Sequence, residues 1–116
     1  MKNKHTGDKG ETIAVNFLQK RGFNIIERNW RYKHLEIDII ATQKNKLHFV
    51  EVKTRTTQKY GMPEESVSQA KMNRLKIAAG AYLQLHPEWE LIQFDVIAIM
   101  IGKDKEDILL IDDVFF

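Results

Sequence analysis

Two short segments rich in Ile and Val, Leu35 to Thr42 and Leu47 to Thr54, are separated only by the polar Gln43-Lys44-Asn45-Lys46. Branched and aromatic residues favour strands, and a connector this short and polar has the chemistry of a hairpin turn. A hairpin fixes register. Any even-length loop centred on Lys44-Asn45 sets Asp38 directly across from Glu51, and Glu36 across from Lys53. An odd-length loop would shift the pairing by one residue and separate the two acids. Period-2 alternation puts Glu36, Asp38 and Ile40 on one face, opposite Ile37, Ile39 and Ala41. It likewise groups Phe49, Glu51 and Lys53 opposite Val50 and Val52.

Directly opposed residues in a sheet hold their Cβ atoms only about 4.5–5.5 Å apart, so facing carboxylates destabilise the pair. A divalent cation resolves that conflict. Mg²⁺ takes one or two carboxylates, a few waters and phosphate oxygens. The Val52 carbonyl could add a ligand, and Lys53 projects on the same side toward a phosphate or a water. The structural alternative is an exposed hairpin face whose acids are paired with Lys53 and Lys46. The residues alone leave both readings open.

The rest of the chain supplies covering layers for such a hairpin. Asp8 to Arg21 reads as a helix, with Ile13, Ala14, Phe17 and Leu18 at helical spacing and Gly22 as its stop. Phe23 to Tyr32 reads as a first strand. Arg55 to Glu65 is a polar loop, followed by a helix from Ser66 to Leu85. That helix carries a stripe of Val67, Ala70, Leu75, Ala78, Ala79, Tyr82 and Leu83. Pro87 ends it, since proline disfavours helix at the residue before it. Leu91 to Ile101 is nearly all apolar, as in a central strand covered on both faces. Gly102 to Asp107 turns, and Ile108 to Phe116 reads as a last strand. The expected order is αβββαββ: an α/β domain with a mixed sheet flanked by helices.

At 116 residues the chain fits one domain, 1–116, with no room for a second. It has no cysteine, which excludes disulfides, thiolate metal sites and a cysteine nucleophile. The longest apolar run, Val96 to Ile101, is far too short to span a membrane, and no apolar stretch follows the basic Met1–His5. A cytoplasmic location without membrane partners is expected. Net charge is only +2, but it is unevenly spread: residues 1–85 carry 16 Lys or Arg against 8 acids, and residues 86–116 carry 2 against 8. Such asymmetry points to a nucleic-acid face or, equally, to an uneven solvated surface.

A wider series of residues now carries a resemblance. Gly10-Glu11, Glu36-Ile37-Asp38-Ile39-Ile40, Phe49-Val50-Glu51-Val52-Lys53-Thr54-Arg55, Tyr60-Gly61, Lys71 and Phe94-Asp95-Val96 occur in order over nearly the whole chain. In this the chain resembles the YraN-like family, an uncharacterised bacterial branch of the PD-(D/E)XK nuclease superfamily. The resemblance implies a restriction-endonuclease-like core, related to Holliday-junction resolvases and tRNA endonucleases, and a Mg²⁺- or Mn²⁺-dependent endonuclease. It implies Asp38 and Glu51 as metal carboxylates, Lys53 as the catalytic lysine, and Glu11 as an extra glutamate on the first helix. Ile37 stands where the superfamily usually has proline, a departure it tolerates.

Beside that resemblance, Asp8 followed by Glu11 also matches a capping box, which would give Glu11 a local structural role. Arg55, Lys59, Tyr60, Lys71 and Arg74 form a candidate nucleic-acid surface; singly, each is an ordinary surface group, and Lys71 also suits a lysine snorkelling at a stripe's edge. The expected substrate is nucleic acid, DNA before RNA, with branched or structured DNA favoured. Two rival readings are a binding module needing a partner protein in DNA processing, and an adaptor using the acidic C-terminal hairpin. Resolvase-like relatives are commonly dimers, so a homodimer is a further expectation.

Overall fold

Helix α1 spans Lys4–Lys20 in the computed structural model, which describes residues 4–55 and 69–114. It starts before Asp8, so Asp8 lies inside the helix and not at the cap position that a capping box with Glu11 requires. Its end follows from glycine. Gly22 takes φ +91°, the Phe23 N–H donates to the Leu18 carbonyl, and the Gly22 N–H donates to the Gln19 carbonyl, both at 3.0 Å. That double closure is a Schellman motif, which a side chain at Gly22 would strain.

Strands β1 (Asn24–Tyr32), β2 (Leu35–Gln43) and β3 (Lys46–Arg55) follow as two successive hairpins. Lys44 and Asn45 both have positive φ, 53° and 65°, the backbone of a two-residue type I′ turn. The even loop sets the expected register, from Gln43↔Lys46 up to Ile39↔Val50. Helix α2 (Gln69–Leu85) then crosses over, so that β4 (Ile92–Ile101) lies parallel to β3. Strand β5 (Glu106–Ile111) closes the sheet antiparallel to β4, in the order β1-β2-β3-β4-β5. The αβββαββ mixed α/β architecture is compatible with a restriction-endonuclease-like core.

The helices cover opposite faces. Ala14, Val15 and Leu18 of α1 pack on Ile39, Ala41, Val50, Val52, Ile97 and Ile99. On the other face Met72, Leu75, Ala78, Ala79 and Tyr82 of α2 pack on Ile37, Ile40, Leu47, Phe49 and Val96. Each large apolar side chain buried this way contributes about 1.5–3 kcal/mol. The α2 stripe differs slightly from expectation: Met72 belongs to it, and Ala70 is exposed. Val67 lies outside the described residues.

Two local departures matter. Strict alternation fails in β2, because Ile37 packs with Ile40 on the α2 side while Ile39 and Ala41 face α1. The break falls at Asp38. In the neighbouring strand Asn29 has φ 53°, and the Val52 N–H donates to the Asp38 carboxylate at 2.9 Å. The last strand is also shorter than expected. It ends at Ile111, where Asp112 and Asp113 interrupt it, Asp113 with φ 57°; Val114 then rejoins by donating to the Phe94 carbonyl. Phe115 and Phe116 lie outside the described residues. No described helix is long and apolar enough to cross a membrane.

Candidate active site

The site is assembled where the β2–β3 ladder ends. Asp38 and Glu51, expected to face one another, are buried at 4% and 5% exposure on the neighbouring strands. Burial and then the nearby Asp38 carboxylate push Glu51 above the usual range, against the pull of Lys71 and Lys53. The repulsion foreseen for this pair is therefore present in the fold.

Two lysines meet the acids. Lys71, in the first turn of α2, sets its Nζ 2.7 Å from Glu51 Oε2. Lys53, two residues beyond Glu51, is hydrogen-bonded to Lys71; burial, followed by that bond and the neighbouring charge, lowers it to about 8. Burial works against Lys71 too, but the charge and hydrogen bond of Glu51 outweigh it and raise its pKa above the ordinary value. The proton thus resides on Lys71 more firmly than on Lys53.

Glu11 reaches this end of the sheet by a close approach of α1 to β3. A Cβ at Gly10 would collide with the Thr54 hydroxyl, so only glycine lets the helix dock there. Glu11 is buried at 4% exposure, yet among the described residues no three acids or histidines gather in metal-ligating geometry.

A cavity of about 200 Å³ opens beside the acids, lined by Glu51, Lys71, Arg74, His34, Leu35 and Glu36. Lys71 and Arg74, expected to touch nucleic acid, thus share the cavity with Glu51. Arg55 does not line that cavity: its Nη1 donates to the Thr54 carbonyl at 2.9 Å, while its charge still acts on Lys53. Lys59 and Tyr60 lie outside the described residues. Glu36 forms an ion pair with Arg31 of β1 at 3.7 Å, and the β2–β3 ladder stops at Ile39↔Val50, short of the expected Glu36–Lys53 pairing. Lys46 donates to Gln93 at 3.0 Å at the far end of β3, so it does not neutralise the buried acids. His34 was not foreseen. The signal for it is its place in the short β1–β2 connection, which brings it to the cavity.

Residues 10–99 match the family model described as Uncharacterised protein family UPF0102. A UPF0102 protein of Dictyoglomus thermophilum is 41% identical over 104 residues, covering 89% of this chain and 88% of the relative. One from Rhodococcus opacus is 43% identical over 101 residues, 86% of each chain. Another, from Chlorobaculum parvum, is 45% identical over 101 residues, 86% of this chain and 78% of the relative.

Proposed function

The chain belongs to the uncharacterised protein family UPF0102, and on that premise we propose that it is a metal-dependent endonuclease acting on nucleic acid. The observation that carries the proposal is the buried Asp38–Glu51 pair with Lys53 beside it. Nothing in packing alone favours two buried acids at the open end of an Ile- and Val-rich hairpin. Oxygen-only donors suit Mg²⁺ or Mn²⁺, so Asp38 and Glu51 fit such an ion. When bound, that ion would supply Lewis-acid stabilisation of a phosphate and a more acidic water.

The chain's own residues have separable tasks. Asp38 is held in place by the Val52 N–H, which donates to one carboxylate oxygen and orients the group. Glu51 would be the second metal carboxylate, and Lys71 would move from Glu51 toward the phosphate as the site fills. Lys53 would orient the attacking water and face the charge that builds on the phosphate. Glu11 would be an outer member of the acid set, drawn in from α1. Arg74 at the cavity mouth would meet the sugar–phosphate backbone, together with Arg55, Lys59 and Tyr60. With no recognition helix among the described residues, shape in branched or structured DNA is the favoured target, and a homodimer would present two such sites.

The test is cleavage of labelled duplex, single strand, flap, four-way junction and structured RNA with Mn²⁺. Cutting that Asp38→Ala and Lys53→Ala each reduce by roughly a hundredfold or more supports the proposal. Cutting that persists in both variants sinks it. Binding without cutting would favour the second reading, a module that needs a partner protein.

A further inference from the structure

On the other face of β3 a larger cavity, about 350 Å³, is bounded by a second polar cluster that the proposed chemistry does not use. Arg21 and Phe23 border it after α1, Lys44 and Lys46 at the β2–β3 turn, and His48 and Asp95 from the sheet. His48 and Asp95 are both buried, and their side chains meet at 2.7 Å between Nδ1 and Oδ2. Asp95 also accepts from Gln93 Nε2 at 2.8 Å and from the Asp113 N–H at 3.0 Å. Burial opposes its charge, but these bonds together hold the Asp95 carboxyl below its ordinary value. An ionised carboxylate only accepts, so the proton of this bond sits on His48 Nδ1.

Nε2 is then the atom that His48 offers to the cavity. Among the described residues it has no hydrogen-bond partner, and Phe23 meets the ring edge-on at 4.9 Å. The cations nearby are also unneutralised. Arg21 lies over the Phe17 ring at 4.3 Å, Lys46 bonds the uncharged Gln93 side chain, and Lys44 stands exposed at the turn. None of these three is ion-paired among the described residues. Asp112, exposed at the rim, is the opposing charge.

We propose that this cavity binds a phosphomonoester, with His48 Nε2 accepting the hydrogen bond of the phosphate's OH group and Arg21, Lys44 and Lys46 meeting its other oxygens. A histidine kept for stability alone needs neither a cavity nor unpaired cations beyond its free nitrogen. Three cations exclude a cationic ligand. A phosphate offers three terminal oxygens to donors arriving from the end of α1, the β2–β3 turn and β3, where a carboxylate offers two. The volume is within the roughly 300–1,000 Å³ of small-molecule sites, enough for a mononucleotide or a strand's terminal phosphate. The inference is independent of the metal reading, because it uses other residues on the opposite face.

The experiment follows the His48 imidazole resonances by NMR in the full chain. The probes are inorganic phosphate, 5′-dAMP, and one oligonucleotide with and without a 5′-phosphate. The expected result is a saturable His48 shift with phosphate and dAMP. It should weaken roughly tenfold in Lys44→Ala/Lys46→Ala, two turn-end substitutions that spare the core, and strengthen in Asp112→Asn. Stronger binding of the phosphorylated strand than of dAMP would identify a strand terminus as the source, and the reverse a free nucleotide. A His48 signal that does not move with phosphate, or moves equally in the double variant, overturns the proposal.

Discussion

Strand β3 carries a buried charge cluster on each face, and the two are built on opposite terms. On the α1 side, Asp95 receives three hydrogen bonds, and its carboxyl is held below the ordinary range. On the α2 side, Glu51 is pushed up by burial and by Asp38, while Lys53 is pushed down to about 8. The donors of the first cluster all support the Asp95 charge, whereas Glu51 and Lys53 in the second are driven toward their neutral forms. A buried charge that is fully supplied with donors holds the fold together. One that is opposed by its neighbours calls for something added, and a divalent cation is the simplest addition.

The sharpest way to break this contrast is substitution. Asp95→Ala would leave His48, Gln93 and the Asp113 N–H without their shared acceptor, and should cost about 3–5 kcal/mol in urea unfolding. Glu51→Gln removes a carboxylate that burial and Asp38 disfavour, so stability should stay level or rise by up to about 1 kcal/mol. Equal losses in both would mean that the α2-side acids are as well supported as Asp95, and the case for an added cation would fail.

The pH dependence should separate the clusters next. The Asp95 carboxyl is depressed in the fold, so its contribution is present above the unfolded value near 3.8 and is lost as pH falls below it. The Glu51 carboxyl is raised, so its protonated form favours folding below 4.5, and that advantage is lost as pH rises through the raised value. Wild type should therefore lose stability relative to Asp95→Asn-corrected baselines only at the acid end. Relative to Glu51→Gln it should lose stability on the way up from 4.5. Chemical denaturation across that range reads both, and matching profiles would erase the distinction.

How much of this was legible in the chain itself differs between the two faces for a physical reason. Asp38 and Glu51 are joined by a short hairpin, so the even Lys44-Asn45 turn alone dictated their neighbourhood. Both helices followed from periodicity, and the interior place of β4 from its nearly unbroken apolar run. The His48–Asp95 contact was invisible. It depends on β3 and β4 lying parallel with Val50 beside Asp95, a register set by a crossover and not by any local turn. The docking of Lys71 on Glu51 was hidden likewise, because an α2 stripe shows which residues are buried but not which strand residue each one meets. The break in alternation at Asp38 escaped period-2 counting, which sees neither the Asn29 backbone on the neighbouring strand nor a side chain that takes the Val52 N–H, the two features found beside it.

The smallest effect tests the α2-side cluster most directly. Lys71 Nζ lies 2.7 Å from Glu51 Oε2, on an atom that a metal would also require, so the ammonium and the ion compete for one carboxylate. The lysine side chain is 31% exposed, which limits such a pair to about 1 kcal/mol or less. Removing it in Lys71→Ala should therefore tighten Mn²⁺ binding by up to about fivefold in calorimetry, even as cleavage falls for want of a phosphate contact. Affinity and activity would then move in opposite directions. If Lys71 instead positioned Glu51 for the metal, the same substitution would weaken both together. The α2-side cluster would then be an arranged site like its counterpart across the sheet, and not an opposed one.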